Sequence, residues 1–350
     1  MDEAIQKGLE AAKAIHEAAE KVSGGSGGKN NKNKRKKSSS KKKIPEARVM
    51  IVGACIVIVV AFLYRASGCY MEEVQENENA EIVDNGITTV HFLDVGQGDS
   101  TLICGTEKNI LIDAGERDQG EVVLADLKEL GIKTIDCIIA THPHSDHIGG
   151  LDDVLQYAAE YDDLEVKQVI IPDIPEEDIP TTAIFTKLLD GIEANDLPVT
   201  FAEYGMTIDT GSSILTIYPP AEGKNYSSLN DYSVCAHLDC GDTSFFFTGD
   251  MEFPEEEDLL EGGYLKGVNA TVLKAGHHGS DTSSSEEFLS QIDPQYVVIS
   301  CGAGNSYGHP NKDALTRFKE YTDEIYRTDL EGTITCTTDG RNLAWTMEGR

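Results

Sequence analysis

Three histidines and an aspartate fall within six positions of "THPHSDHIGG", Thr141 to Gly150, in a chain with nine histidines in all. His142, His144, Asp146 and His147 read H-x-H-x-D-H behind the apolar run "DCIIA". Alternate residues of an extended segment point the same way, so His142 and His144 can grip one cation together. The chain then turns into a following helix, where Asp146 and His147 can face a second ion. Neutral imidazole and carboxylate suit zinc, and also manganese or iron. The plain alternative is a polar loop with stacked histidines. Four ligand-type side chains crowded between a strand and a glycine-started helix argue against it.

Other chemistry-bearing residues also sit where apolar runs end. "FFFTGD" delivers Asp250, which taken alone is as well read as a turn residue or a cap for a helix in "MEFPEEE". "LKAGHHGS" carries the adjacent His277 and His278, and "SYGHP" places His309 just before a helix. Six of the nine histidines lie in "THPHSDHIGG", "LKAGHHGS" and "SYGHP", and holding metal is the one task that explains all of them. Lys274, ahead of the histidine pair, either adds positive potential there or is a solvated strand-end lysine.

These residues must be positioned by an α/β scaffold. "TTVHFLDV", "STLICG", "NILIDAG", "DCIIATH", "KQVIIPD", "SILTIYP", "YSVCAHLDC", "SFFFTGD", "ATVLKAG" and "YVVISCG" read as short strands. "EVVLADLKELG", "GGLDDVLQYAAEY", "EEFLSQ" and "KDALTRFKEY" read as helices. "GTITCTTDGRNLAWTM" reads as a closing hairpin, with Asp339-Gly340 supplying the positive φ angles of a tight turn. Helices alternating with many strands predict two sheets covered by helices. Cys104, Cys137, Cys235, Cys240, Cys301 and Cys336 form no C-x-x-C pair and read as small apolar core residues.

Charge divides the chain. Of its 29 basic and 61 acidic residues, positions 1–65 hold 14 and 6, leaving 15 and 55 for the remainder, a balance of −40. So acidic a body repels polyanions unless a metal or local patch reverses the field. No Lys/Arg cluster occurs in 87–350 to supply such a patch. Residues 1–22 have the spacing of a short amphipathic helix, and 23–48 form a basic, flexible linker. Between Arg48 and Arg65 run sixteen uncharged residues, Val49 to Tyr64, spanning roughly 24 Å as a helix. Extension to Tyr70, with Arg65 snorkelling, predicts a single membrane helix over 49–70. The basic arm then stays cytoplasmic, and the body lies outside after an acidic spacer, 71–86. A 48-residue leader before the apolar run speaks against a cleaved signal. Cys69 leaves lipidation open as a lesser reading.

In their order, "HFLDVGQGDS", "NILIDAG", "THPHSDHIGG", "FFFTGD", "LKAGHHGS" and "YGHP" resemble the metallo-β-lactamase superfamily. More narrowly they resemble the metallo-β-lactamase-like domain of ComEC-type competence proteins and the related phosphorylcholine esterases. The resemblance spans about 87–348, within a domain drawn as 87–350. It implies an αββα sandwich with the metal site at one edge of the two sheets. It further implies two divalent ions, one held by His142 and His144, the other by Asp146, His147 and His309, with Asp250 bridging. Asp113 would orient ligands from behind, and Asp94 with its glycines would form the loop beneath. Asp146, His277 and His278 would act on the substrate. One departure is that many relatives place a further histidine ahead of the bridging aspartate, where "SLNDYSVC" offers Asn230 or Asp231.

The expected activity is that of a membrane-anchored, extracellular hydrolase in which two ions share a water and sharpen it into hydroxide at neutral pH. A small phosphodiester, or another ester, at the cell surface is the expected substrate. DNA is disfavoured by the acidic charge, which weakens the alternative of a competence-type nuclease. A lactonase or thioesterase, and a metal-binding module without catalysis, stay open behind these.

Overall fold

The computed structural model describes residues 86–349. The expected amphipathic helix, basic linker and membrane helix, and all but the last residue of the spacer, lie outside those residues. Among the described residues no helix is long and apolar enough to cross a membrane.

The strands are Thr88–Phe92 (β1), Thr101–Cys104 (β2), Asn109–Ile112 (β3), Thr134–Ile135 (β4), Cys137–Ile139 (β5), Glu165–Val166 (β6), Val169–Ile171 (β7) and Val199–Phe201 (β8). Thr207–Asp209 (β9), Ile214–Tyr218 (β10), Cys235–Asp239 (β11), Ser244–Phe247 (β12), Val272–Lys274 (β13), Tyr296–Ile299 (β14), Ile325–Arg327 (β15), Ile334–Thr338 (β16) and Leu343–Met347 (β17) follow. They form an eight-stranded sheet, β17-β16-β1-β2-β3-β5-β7-β8, a seven-stranded sheet, β15-β14-β13-β12-β11-β10-β9, and the small pair β4-β6.

Period-two alternation sorts the apolar residues into layers. Ile110 and Ile112 of β3 join Phe245 and Phe247 of β12 in one core, to which both sheets contribute. Leu111, between them in sequence, packs instead with Val123 and Leu127 of the helix Gly120–Glu129 and Leu151 and Val154 of the helix Leu151–Glu160. Phe246 packs with Leu259 of the helix Phe253–Glu261 and Phe288 of the helix Glu286–Ile292. Three apolar layers require four layers of backbone, so the αββα sandwich holds.

Two local expectations are corrected. The closing hairpin pairs Thr338 with Leu343 around a four-residue loop. Only Gly340 there is left-handed, at φ 89°. Asp339 Oδ1 accepts from the backbone N–H groups of Arg341 and Asn342, so its carboxylate makes the turn that a second positive φ would have made. The helix Ala183–Ala194, with the Thr182 hydroxyl accepting from Phe185 N at its start, has no counterpart among the expected elements.

Candidate metal centre

In each sheet one side runs parallel: β3, β5, β7 and β8 in one, β12 to β15 in the other. In such sheets the carboxyl ends of the strands are where chemistry collects. Asp113 follows β3, His142 follows β5, Asp250 follows β12, and His277 and His278 follow β13. Their contacts bring both sheets' strand ends to one place.

The H-x-H-x-D-H stretch bends at His142 and Pro143, is extended at His144 and then makes one helical turn, Ser145–Ile148. That turn separates the first two ligand-type residues from the last two, as the spacing predicts. The stretch is held from below by backbone: Asp99 N donates to Asp146 O at 3.0 Å and Ala114 N to His147 O at 2.8 Å. Gly98 is required there, because a Cβ would stand 2.4 Å from Asp146 O and its φ is +154°. Asp113 itself is left-handed, at φ 57°, and wholly buried. Its Oδ1 accepts from Thr141 N at 2.9 Å, and its Oδ2 accepts from Thr141 Oγ1 at 2.6 Å. The same Oδ2 lies 2.7 Å from His147 Nδ1, so it orients that imidazole from behind.

Asp250, 1% exposed, is the hub. Its Oδ1 lies 3.1 Å from His147 Nε2 and 3.6 Å from His278 Nε2. Its Oδ2 lies 3.8 Å from His142 Nε2 and 3.7 Å from His277 Nε2. His142 Nε2 and His144 Nδ1 are 3.1 Å apart. His278 Nε2 also faces Asp146 Oδ2 at 3.3 Å. The two oxygens of Asp250 therefore look toward two groups of nitrogen ligands, His142 with His144 on one side and His147 with His278 on the other.

The donor chemistry fits a divalent cation. Asp99 Oδ1, His147 Nε2, Asp250 Oδ1 and His278 Nε2 are all buried without a hydrogen-bond partner among the described residues. The same four residues form a group whose ligand atoms lie within 4.8 Å of one another. Buried polar atoms left unpaired cost about 1–3 kcal/mol each unless something satisfies them. Three of them meet, with His147 Nε2 and His278 Nε2 about Asp250 Oδ1, which is the signature of a ligand cage rather than of a hydrogen-bonded core.

The electrostatics agree. Burial works against a charged His147, but Asp250 and Asp113 on either side outweigh it and raise its pKa well above the ordinary value. Burial likewise opposes a charged His278, yet Asp250 and Asp99 lift its pKa to about 9. Asp250 is desolvated too, but His147 and His278 hold its carboxyl well below the usual range. Without a cation, protons on two imidazoles balance the buried carboxylates. His142, by contrast, is pushed well below its ordinary value by burial and then by the neighbouring His147.

His309 stacks on Tyr307, with ring centroids 5.8 Å apart, and stands edge-on to His277 at 5.2 Å. Its Nδ1 is buried without a partner, and burial lowers its pKa to about 4. His278 is the histidine whose Nε2 meets Asp146 and Asp250. Of the pair left open near residue 230, Asp231 turns toward a helix start: its Oδ1 takes the N–H groups of Glu252 and Glu255 at 3.3 and 3.4 Å. Asn230 faces the centre, with Nδ2 3.4 Å from His277 Nδ1. Asp94 Oδ1 accepts from Gly96 N within its own loop. Lys274 is not a solvated strand-end lysine. It is 2% exposed and its ammonium pairs with Asp99. Asp99 is a member of the cluster that residue spacing does not single out. A second carboxylate in "DVGQGDS" is its only signal.

Comparison with known proteins agrees with this geometry. Residues 93–161 and 225–303 match the model of the Metallo-beta-lactamase superfamily. "ComE operon protein 3" of Bacillus subtilis (strain 168) is 29% identical over 263 residues, which are 70% of this chain and 32% of that one. "Competence protein ComA" of Neisseria gonorrhoeae is 29% identical over 264 residues, 75% of this chain and 33% of that one. "Recombination protein 2" of Haemophilus influenzae is 28% identical over 250 residues, 70% of this chain and 28% of that one. The chain thus spans about a third of the length of the curated relatives it matches. The resemblance to the metallo-β-lactamase superfamily, and within it to ComEC-type competence proteins, holds on both comparisons.

Proposed function

We propose that this chain, a metallo-β-lactamase-fold metal-dependent hydrolase related to competence proteins, is a two-ion phosphodiesterase. The observation that carries the reading is the convergence of buried, unpartnered ligand atoms on Asp250. When bound, a pair of divalent cations supplies an activated water and neutralises charge on the phosphoryl oxygens. His142, His144 and Asp250 Oδ2 would hold one ion. Asp146, His147, His278 and Asp250 Oδ1 would hold the other, so His278 takes the place that the resemblance gave to His309. Zinc suits this donor set, as do manganese and iron.

The remaining residues then have separable tasks. His277, about a quarter exposed at the rim, has Glu252 Oε1 3.2 Å from its Nδ1 and its Nε2 turned toward Asp250, so it can meet a substrate oxygen. His309 and Tyr307 form the adjoining wall. His277 and His278 are both left-handed, at φ 46° and 54°. Non-glycine residues held there cost on the order of 1–3 kcal/mol each, which suits a segment kept for what its side chains do.

A second reading is a nuclease serving competence, a process named in one relative's title, "Competence protein ComA". The balance of −40 after residue 65 weighs against long DNA, whose binding would fall steeply with salt. A small phosphodiester substrate therefore ranks first. We also place the chain at the cell membrane, anchored by 49–70 with the catalytic domain outside, on the strength of the uncharged run and the basic arm before it.

The test is elemental analysis of the purified full chain together with hydrolysis of bis-p-nitrophenyl phosphate, with and without chelator. Two ions per chain and chelator-sensitive turnover are expected. A metal-free chain, or turnover indifferent to chelator, sinks the reading. Bound metal without turnover on phosphodiester or ester panels points to a binding module instead.

A further inference from the structure

Asp99 and Lys274 form a buried ion pair that belongs to neither expected ion site, and they reach it from different sheets: Asp99 precedes β2 and Lys274 ends β13. Lys274 Nζ also donates to Gly249 O at 3.4 Å, immediately before Asp250. Taking an ammonium and a carboxylate out of water costs several kcal/mol per ion, and well-packed apolar residues of similar size often do as well for stability. Stability alone therefore does not account for the pair.

What the pair does is legible from Asp99's two oxygens. Oδ2 is committed to the Lys274 ammonium. Oδ1 lies 3.3 Å from His278 Nδ1, while that nitrogen also lies 3.1 Å from Ser300 O. The opposite nitrogen, Nε2, faces Asp146 and Asp250. An imidazole directs its two nitrogens to opposite sides of the ring. An oxygen beside Nδ1 is thus badly placed to share an ion with Nε2, although Asp99 stands in the same cluster of ligand-type residues.

We propose that Asp99 is a positioning residue for His278 and that Lys274 keeps it so, by holding the carboxylate out of the ligand set. Ser300 O accepts the Nδ1 proton, and the Asp99 carboxylate beside it favours a proton on that side, which leaves the Nε2 lone pair for the cation. Asp113 stands in the same relation to His147, 2.7 Å from its Nδ1. The two imidazoles that flank Asp250 Oδ1 are therefore each backed by a carboxylate. The Asp113 carboxylate is shared with Thr141, and the Asp99 carboxylate with a buried lysine. Asp99's backbone serves the same assembly, since its N–H donates to Asp146 O and its carbonyl accepts from Gly115 N.

The inference rests on the two-ion reading above, and its test separates the two. Full-chain wild type, Asp99→Asn, Lys274→Met and the double variant are titrated with cobalt(II), reading the visible absorption band and the stoichiometry. Asp99→Asn is expected to weaken one of the two ions about 10- to 100-fold, the usual effect of losing such a partner. At saturating cobalt its band should match wild type, because the ligand set is unchanged. Lys274→Met is expected to shift the band as the released carboxylate enters the ligand set. The double variant, which buries no unpaired charge, should return the band to wild type with the weakened affinity of Asp99→Asn, and it serves if Lys274→Met does not fold. A band altered at saturation in Asp99→Asn makes Asp99 a ligand and overturns the inference. Unchanged affinity in Asp99→Asn overturns it equally, with the two-ion reading intact. A wild type that binds no cobalt overturns both.

Discussion

Replacing Asp250 by Asn in chelator-treated protein removes one charge from a site where two buried imidazoles depend on it. Asp250 Oδ1 is 3.1 Å from His147 Nε2 and 3.6 Å from His278 Nε2. At an effective dielectric of about 20, each pairing amounts to roughly 5 kcal/mol. Desolvation of the carboxylate offsets much of this, so the net loss should be about 3–5 kcal/mol, the usual cost of breaking a buried pair. For a domain of this size that lowers Tm by about 2–4 °C per kcal/mol. The pH dependence makes the prediction specific. The folded-state pKa of His278, about 9, lies above the ordinary 6.5, so its contribution is full below pH 6.5 and is lost as pH rises through about 9. His147 shifts in the same direction. The destabilisation by Asp250→Asn should therefore be largest near pH 6.5 and smaller at pH 9.5, where His278 has lost its share, measured by urea unfolding in chelator. Equal cost at both pH values would show that the imidazoles are not cations sustained by Asp250, and the electrostatic account of the centre would fall.

Asp113→Asn should weaken ion binding about 10- to 100-fold by loosening His147 and Thr141, read by competition with a chromogenic chelator; unaltered affinity refutes its positioning role. Asp231→Ala should cost about 1 kcal/mol through loss of the bonds to Glu252 N and Glu255 N, with ion stoichiometry unchanged. Loss of an ion in that variant would make Asp231 a ligand after all. Gly98→Ala should destabilise the fold by about 1–3 kcal/mol and weaken metal binding together, since the new Cβ meets Asp146 O. A variant that unfolds like wild type would mean that this loop does not support the site.

Much of this protein is determined by local pattern. The unbroken apolar runs in "NILI" and "SFFF" specify strands with two apolar faces, and two such faces per sheet demand the layered sandwich. The crowding of His142, His144, Asp146 and His147 points to a cation site, because a loop that holds nothing has no need of four ligand-type side chains so close in sequence. What tertiary structure decided is which distant groups lie beside it. Nothing in the order of residues told His278 from His309, since both follow parallel strands of one sheet. The left-handed backbone at residues 277 and 278 aims one nitrogen at Asp250, and that geometry is a property of the folded loop. Asp99 and Lys274 are 175 positions apart, and nothing local pairs them. A buried charge finds its partner through packing, and packing brings strand ends from different sheets together without regard to their distance along the chain.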